Sequence, residues 1–347
     1  MILSTSNRNP DEPNFDIPKT NYLINSYNDT YPLSKPSVDR IARTITYEIT
    51  AIADLDTSSK MPDKPKYVSY LLKGKLVINQ NLDEAKIDFD DHPKELSTQY
   101  AYGDRGMELS ELVTFNGKLY SCDDRTGIIY QINTHKNLVV PWVILVDGDG
   151  KSTDKGFKCE WMTVKDHSLY VGGLGKEWTT AKGELVNHNP QWVKKVTHYG
   201  DVTHLDWKES YNKIREPGGY LFPGYMIFES CVWNSIEKKW YFLPRRASRE
   251  AYDEELDEHR ATNLMIKADE NFDNVVYKTI GEIVPVRGYS SFKFVPDTNN
   301  KIIIALKSEE DSGKTRTYVT LFNIDGTILV NDKLISDKYK YEGVEFV

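Results

Sequence analysis

Carboxylates and serine hydroxyls recur along this chain where apolar strands begin. Glu111 precedes the turn Asn116-Gly117-Lys118 and the run Leu119-Tyr120, and Glu160-Trp161 precedes Asp166-His167-Ser168 and Leu169-Tyr170-Val171. Glu229 precedes Glu237-Lys238-Lys239 and Trp240-Tyr241-Phe242, and Ser290-Ser291 precedes Asn299-Asn300-Lys301 and Ile302-Ile303-Ile304. The four starts are 49, 69 and 61 residues apart, with Asp54 lying 57 before the first and Glu342 52 after the last. Gathered on one axis, such groups make a hard oxygen cage. Ca²⁺, with about six to eight oxygen ligands, suits it better than Zn²⁺ does. The seven histidines show no ligand spacing and none pairs with a cysteine, which argues against zinc. The alternative, that these are ordinary turn residues, stays open on pattern alone.

Other groups carry charge toward the same kind of chemistry. Arg245-Arg246 follows an aromatic strand and a proline, and Asp123-Asp124-Arg125 follows another strand. Paired arginines either end a strand in solvated salt bridges or clamp a phosphate bidentately. Carboxylates and basic side chains around a divalent metal equip a site for water attack on a phosphoanhydride. Gly172-Gly173-Leu174-Gly175-Lys176 resembles a phosphate loop, but Tyr170 replaces the first glycine and Glu177 follows the lysine instead of Ser or Thr. Lys176 and Trp178 there offer a phosphate contact and a stacking face, or the segment merely ends a strand. Asp147-Gly148-Asp149-Gly150 reads as a plain turn, because Lys158 stands where a calcium-binding hand needs its bidentate Glu.

The elements that must position these residues are short strands. From Thr44 onward, β-branched and aromatic runs are cut by turn residues, and Asn116-Gly117 between Leu112-Val113-Thr114-Phe115 and Leu119-Tyr120-Ser121 signals a hairpin. Helical patterns are confined to about Glu250–His259 and Trp207–Ile214. Repeats of about 40–50 residues or somewhat more, made of hairpins, select an all-β, five-bladed β-propeller. Six polar starts mark five blades if the C-terminal strand closes the ring beside the N-terminal one. The domain reading is an extended arm over residues 1–40, rich in Asn, Asp, Pro and Ser, followed by the propeller over 41–347.

Composition excludes several classes. With 44 Lys+Arg against 52 Asp+Glu, the net charge of −8 opposes nucleic-acid binding, and no dense basic patch offsets it. No run of eighteen apolar residues exists for a membrane span, and the N-terminus lacks the pattern of a secretion signal. Asn28-Asp29-Thr30 is a glycosylation sequon. Cys122, Cys159 and Cys231 form no C-x-x-C pair, and read as small buried hydrophobes or as one disulfide and a spare thiol.

Several blocks together resemble the calcium-activated apyrase/nucleotidase family. They are Arg105-Gly106-Met107-Glu108-Leu109-Ser110-Glu111-Leu112, Asp123-Asp124-Arg125-Thr126-Gly127, Gly172-Gly173-Leu174-Gly175-Lys176-Glu177-Trp178 and Pro244-Arg245-Arg246-Ala247-Ser248. Ser290-Ser291-Phe292-Lys293-Phe294, Leu306-Lys307-Ser308-Glu309-Glu310-Asp311-Ser312-Gly313 and Lys340-Tyr341-Glu342-Gly343-Val344-Glu345-Phe346 continue the resemblance, which runs from about Tyr47 to Val347. It implies a five-bladed propeller that needs Ca²⁺ to hydrolyse nucleoside di- and triphosphates, in the manner of salivary apyrases and secretory-pathway nucleotidases. It implies that Ser110, Glu111, Glu160, Glu229, Ser290 and Glu342 hold a central Ca²⁺, some through carbonyls. Asp54, Asp124 and Glu160 would surround the reacting phosphate, and Glu108, Arg125, Trp178 and Arg245 the nucleotide, to which the loop reading adds Lys176. The implied substrates are of the ADP, ATP, UDP and GDP class, and the implied location is secreted or in the secretory-pathway lumen. Homodimers occur in the family, and no feature of this sequence decides the matter. A propeller that binds nucleotides without turnover is the competing reading, against which the retained acids Asp54 and Asp124 count.

Overall fold

Five antiparallel blades, four of them four-stranded and the fifth part of a six-stranded sheet, surround an axis in a computed structural model that describes residues 26–347. From inside out, blade one is Leu109–Phe115, Lys118–Asp123, Ile128–Asn133 and Leu138–Ile144. Blade two is Trp161–Lys165, Ser168–Gly172, Trp192–Thr197 and Val202–Asp206. Blade three is Cys231–Asn234, Lys239–Phe242, Leu264–Asp269 and Val275–Thr279. Blade four is Arg287–Phe294, Ile302–Asp311, Lys314–Asn323 and Ile328–Ser336. Blade five takes its innermost strand, Lys340–Phe346, from the C-terminus; Thr44–Asp54, Tyr67–Asn79 and Ala85–Phe89 follow outward. The ring is thus closed by the pairing of Lys340–Phe346 with Thr44–Asp54, with Ile49 opposite Phe346 and Asp54 opposite Lys340.

Burial follows position in the blade. The innermost strands Leu109–Phe115 and Lys340–Phe346 are buried at every residue, because neighbouring blades cover both of their faces. The outermost strand Leu138–Ile144 keeps several side chains in solvent. Each seam between blades carries its own apolar core. Ile304, Leu306 and Leu321 of blade four meet Ile49, Leu72 and Val344 of blade five, and Trp161 and Val193 of blade two meet Trp233, Trp240 and Phe242 of blade three. The Asn116-Gly117 hairpin forms as expected: both residues have positive φ, 49° and 68°, and join Phe115 to its partner Lys118. The expected helices are present as Lys208–Arg215 and Glu254–Asp257.

The expected arm over residues 1–40 lies outside the described residues as far as residue 25. Beyond that point, Tyr27 stacks on His167, the Asn28 N–H donates to Asn116 Oδ1 (2.7 Å) and the Tyr31 hydroxyl to Glu345 Oε1 (3.0 Å). Ser37–Asp39 already pairs with Thr44–Thr46 in blade five.

Candidate active site

In an antiparallel blade, the start of the innermost strand and the end of the second strand lie at the same mouth of the channel. Innermost starts deliver Glu160, Glu229 and Glu342. Second-strand ends, or the few residues after them, deliver Asp54, Asp124, Lys176, Arg245 and Glu310. All eight line one cleft of about 350 Å³, together with Lys158, Lys340 and Trp178. Asp54 therefore differs from the other polar starts: it ends a second strand, as Asp123-Asp124 do in blade one. A larger cavity, about 560 Å³, opens at the opposite mouth, among the far ends of the innermost strands at Thr114, Val164 and Glu345. The acids converge on the smaller space, which makes it the candidate site.

Three innermost strands carry a β-bulge at their motif residue. The ladder passes from Leu109 to Glu111, from Tyr289 to Ser291 and from Tyr341 to Gly343, leaving Ser110, Ser290 and Glu342 without a paired position. Bulges re-aim side chains and free backbone from the ladder, which is how a regular sheet presents oxygen atoms to an axis. The Ser110 Oγ is buried with no hydrogen-bond partner among the described residues, as is Asp124 Oδ1.

The cleft is overcharged with acid. Nine carboxylates line it against five lysines and arginines, so the basic groups cannot neutralise them all. Arg245, only 4% exposed, donates from Nη1 to Glu229 (2.5 Å) and Glu342 (3.0 Å) and from Nη2 to Glu310 (2.6 Å). Lys340 Nζ lies 3.0 Å from Asp54, 2.8 Å from Asp56 and 3.4 Å from both Glu310 and Glu342. Lys158 Nζ pairs with Asp124 and, at 2.9 Å, with Glu160.

Even so, burial pushes Glu160 up to about 8 against the pull of Lys158, with Glu229 and Asp124 adding repulsion. Burial likewise drives Glu342 well above the carboxylate range and Asp124 to about 6. At Asp54 burial is again the largest single influence, but Lys340, the Asp56 N–H and Lys158 together hold that carboxyl below its usual range. Buried acids that resist ionisation, orphaned hydroxyl and carboxylate oxygens and an all-oxygen donor set are what a hard divalent cation would satisfy. The residues present fit such an ion.

At the cleft mouth, Lys176 Nζ donates to the Glu177 carbonyl (3.0 Å) and to Thr179 Oγ1 (3.2 Å) and lies 4.3 Å from the Tyr252 ring centre; burial lowers it to about 8. Trp178 is half-buried beneath Lys155. The glycines before them are required by space: a Cβ on Gly172 would sit 2.0 Å from the Trp161 ring, and Gly175 has φ +70°. Glu177, which broke the phosphate-loop pattern, makes two 2.8 Å bonds with buried Arg215 and ties the loop to helix Lys208–Arg215.

Five sequence-predicted residues do not line the cleft. Glu108 stands behind it in a pair with Arg105 (2.7 Å), its carboxylate clustered with those of Asp54 and Asp56. Arg125 is half-buried near Gly103, and its Nε has no partner among the described residues. Ser110 and Ser290 occupy their bulges, the latter bonded to Ser308 Oγ. Glu111 accepts from Leu112 N and Ser291 Oγ (2.8 Å each) and lies 3.1 Å from Lys293, which lines the opposite cavity. Sequence reasoning missed Lys158, Lys340 and Glu310. The signal was present as Lys158-Cys159-Glu160 and Lys340-Tyr341-Glu342, a lysine two residues before a metal-type glutamate in extended chain, where alternate residues share a face.

A family model described as apyrase matches residues 55–347. The chain belongs to the apyrase family. It is 51% identical over 324 residues to soluble calcium-activated nucleotidase 1 of Rattus norvegicus, the match covering 93% of this chain and 79% of the relative. It is 47% identical over 303 residues to apyrase apy-1 of Caenorhabditis elegans, covering 86% and 84%. Apyrase of Cimex lectularius is 44% identical over 323 residues, covering 92% and 87%. The match begins just after Asp54 and runs to Val347, so it takes in strands of all five blades but not Thr44–Asp54.

Proposed function

We propose that this protein hydrolyses nucleoside di- and triphosphates to monophosphates and phosphate in a Ca²⁺-dependent reaction. One observation carries the reading: Glu160, Glu229 and Glu342 from three innermost strands face Asp54 and Asp124 from second strands in one acid-rich cleft. Glu160, Glu229 and Glu342 would hold the ion, with Ser290 and the backbone carbonyls of Ser110-Glu111 contributing from their strands. Bound there, Ca²⁺ would neutralise the acids and polarise phosphate oxygens as a Lewis acid.

The chain's own residues divide the remaining work. Asp54, held as an anion by Lys340, suits orienting a water molecule more than removing its proton. Asp124, raised toward neutrality, is the better proton acceptor. Arg245, Lys158 and Lys340 supply positive charge toward phosphate oxygens as negative charge develops on the leaving group. Lys176 offers a further phosphate contact and Trp178 a face for the base, with Glu108 and Arg125 supporting from behind the cleft. Base preference among ADP, ATP, UDP and GDP then depends on pocket shape around Trp178.

We further place the protein outside the cytosol, secreted or in the secretory-pathway lumen. A disulfide between Cys122 and Cys159 supports an oxidising compartment. Among the described residues no helix is long and apolar enough to cross a membrane. The test is phosphate release from ADP and ATP with Ca²⁺ and then with excess chelator. Turnover that stops on chelation is expected; nucleotide binding without phosphate release would refute hydrolysis.

A further inference from the structure

The disulfide lies where two halves of the cleft meet. Cys122 belongs to the second strand of blade one, Lys118–Asp123, and Cys159 stands just before the innermost strand of blade two, Trp161–Lys165. Both are fully buried and their Cα atoms are 6.4 Å apart. Asp124 follows Cys122 by two residues, and Cys159 is flanked by Lys158 and Glu160. Lys158 Nζ reaches back across the seam to Asp124 while also pairing with Glu160. A covalent bridge and an ionic bridge therefore span the same gap side by side.

Within each blade the arms are already rigid. Asp123 Oδ1 accepts from the N–H groups of Arg125 (2.9 Å) and Thr126 (3.2 Å), and its Oδ2 from that of Met107 (2.8 Å), which fixes the turn that presents Asp124. The Glu160 N–H donates to the Gly172 carbonyl (2.8 Å), anchoring the start of blade two. Blades one and two are separate sheets, joined at this seam by side-chain packing of residues such as Tyr120, Met162 and Val171 and by Leu145, whose N–H donates to the Gly127 carbonyl (2.8 Å) and whose carbonyl accepts from the Phe157 N–H (2.9 Å). The distance from Asp124 to Glu160 is thus set by how the two sheets sit against each other. The Lys158 bridge is a poor guardian of that distance, because an ion at Glu160 would displace its ammonium from the carboxylate and a phosphate in the cleft would draw the ammonium away. The sulfur bridge has no such competitor.

We propose that the Cys122–Cys159 disulfide is a positioning element of the active site: it holds Asp124 of blade one in register with Lys158 and Glu160 of blade two, and so sets Ca²⁺ affinity and turnover. This rests on the reading that Glu160 holds Ca²⁺ and Asp124 serves the chemistry.

Alkylation of the denatured wild-type protein, read by mass spectrometry, should label one cysteine before reduction and three after it. In Cys122→Val/Cys159→Ala, Ca²⁺ binding measured by calorimetry should weaken about tenfold or more, the scale of a lost support behind metal ligands. Its kcat at saturating Ca²⁺ should fall more than KM changes, because misplacement costs turnover before binding. Leu321→Ala, in the core between blades four and five, controls for stability: it should lower Tm while leaving Ca²⁺ affinity within about twofold, the range expected of a distant, independent site. If the cysteine variant does not fold, wild type reduced by excess dithiol takes its place: the S–S bond becomes two thiols and the dithiol its cyclic disulfide. Wild-type affinity and kcat without the bridge would overturn the proposal, as would a loss no greater than that of Leu321→Ala, or three labelled cysteines before reduction. Glu160→Gln separates the two levels. Should it keep wild-type Ca²⁺ affinity, the site assignment itself fails; should it lose affinity while the cysteine variant keeps it, only the positioning role fails.

Discussion

Replacing Arg245 by alanine removes three hydrogen bonds to three different carboxylates at once. Lys340 still reaches Glu310 and Glu342 at 3.4 Å, but Glu229 keeps no other ion pair among the described residues. One buried carboxylate is therefore orphaned outright and two are weakened. Breaking a buried pair in this way costs about 3–5 kcal/mol, and the surviving Lys340 contacts argue for the lower end. For a chain of this size that corresponds to a fall in Tm of about 4–7 °C in chelator. Saturating Ca²⁺ should shrink the gap, because a divalent ion at Glu229 and Glu342 replaces the missing charge. Activity should not recover with it: kcat/KM at saturating Ca²⁺ should stay about one to three orders of magnitude low, as for a lost electrostatic donor in the transition state. Arg245→Lys should recover only part of the rate, since an ammonium cannot span Glu229, Glu342 and Glu310 as the planar fork does. Scanning calorimetry with and without Ca²⁺, beside phosphate-release kinetics, checks both halves. An unchanged Tm in chelator would refute the electrostatic account of the cleft. A normal kcat/KM would confine Arg245 to a structural salt bridge.

Asp54→Asn and Asp124→Asn should each lower turnover by roughly two to four orders of magnitude while keeping Ca²⁺-induced thermal stabilisation, whereas Glu229→Gln should weaken both and regain part of its activity in excess Ca²⁺. Loss of the Ca²⁺ response in Asp54→Asn as complete as in Glu229→Gln would show that the roles are not divided. Mg²⁺ should support little phosphate release after chelation, because it demands a tighter octahedron and holds its water; full turnover in Mg²⁺ would count against the proposed oxygen cage. The pH dependence follows from Glu160, raised from 4.5 to about 8, and from Glu342, also driven well above 4.5 by burial. Both bind protons in the metal-free fold that the unfolded chain has released, so metal-free stability should fall as pH rises from about 4.5 toward 8. Ligation needs the ionised forms, so Ca²⁺ affinity should climb through the upper part of that window with release of protons, measurable by calorimetry in buffers of different ionisation enthalpy. An affinity that is flat between about pH 6 and 8 would contradict these shifts.

Sequence alone determined what is periodic and local. Hairpins spaced along the chain named the propeller, Asn116-Gly117 announced its turn, and polar residues at strand starts picked out Glu160, Glu229 and Glu342, because antiparallel repeats bring equivalent positions to one mouth. Family blocks pointed to Asp124, Lys176, Trp178 and Arg245, which the fold assembles in the same cleft. Tertiary structure decided the partnerships. Asp54 proved to end a second strand opposite Lys340, nearly three hundred residues away, a juxtaposition made only by ring closure. Glu111, grouped with the metal acids by spacing, shares its carboxylate with Ser291 and Lys293, since the bulge at Ser110 shifts the strand by one residue and strand faces alternate with every step. The choice left open among the three cysteines was likewise settled by contact across a seam, joining Cys122 to Cys159 and leaving Cys231 buried and free. Spacing shows which residues share a strand position. Which charge faces which depends on how separate sheets pack, and no local pattern encodes that.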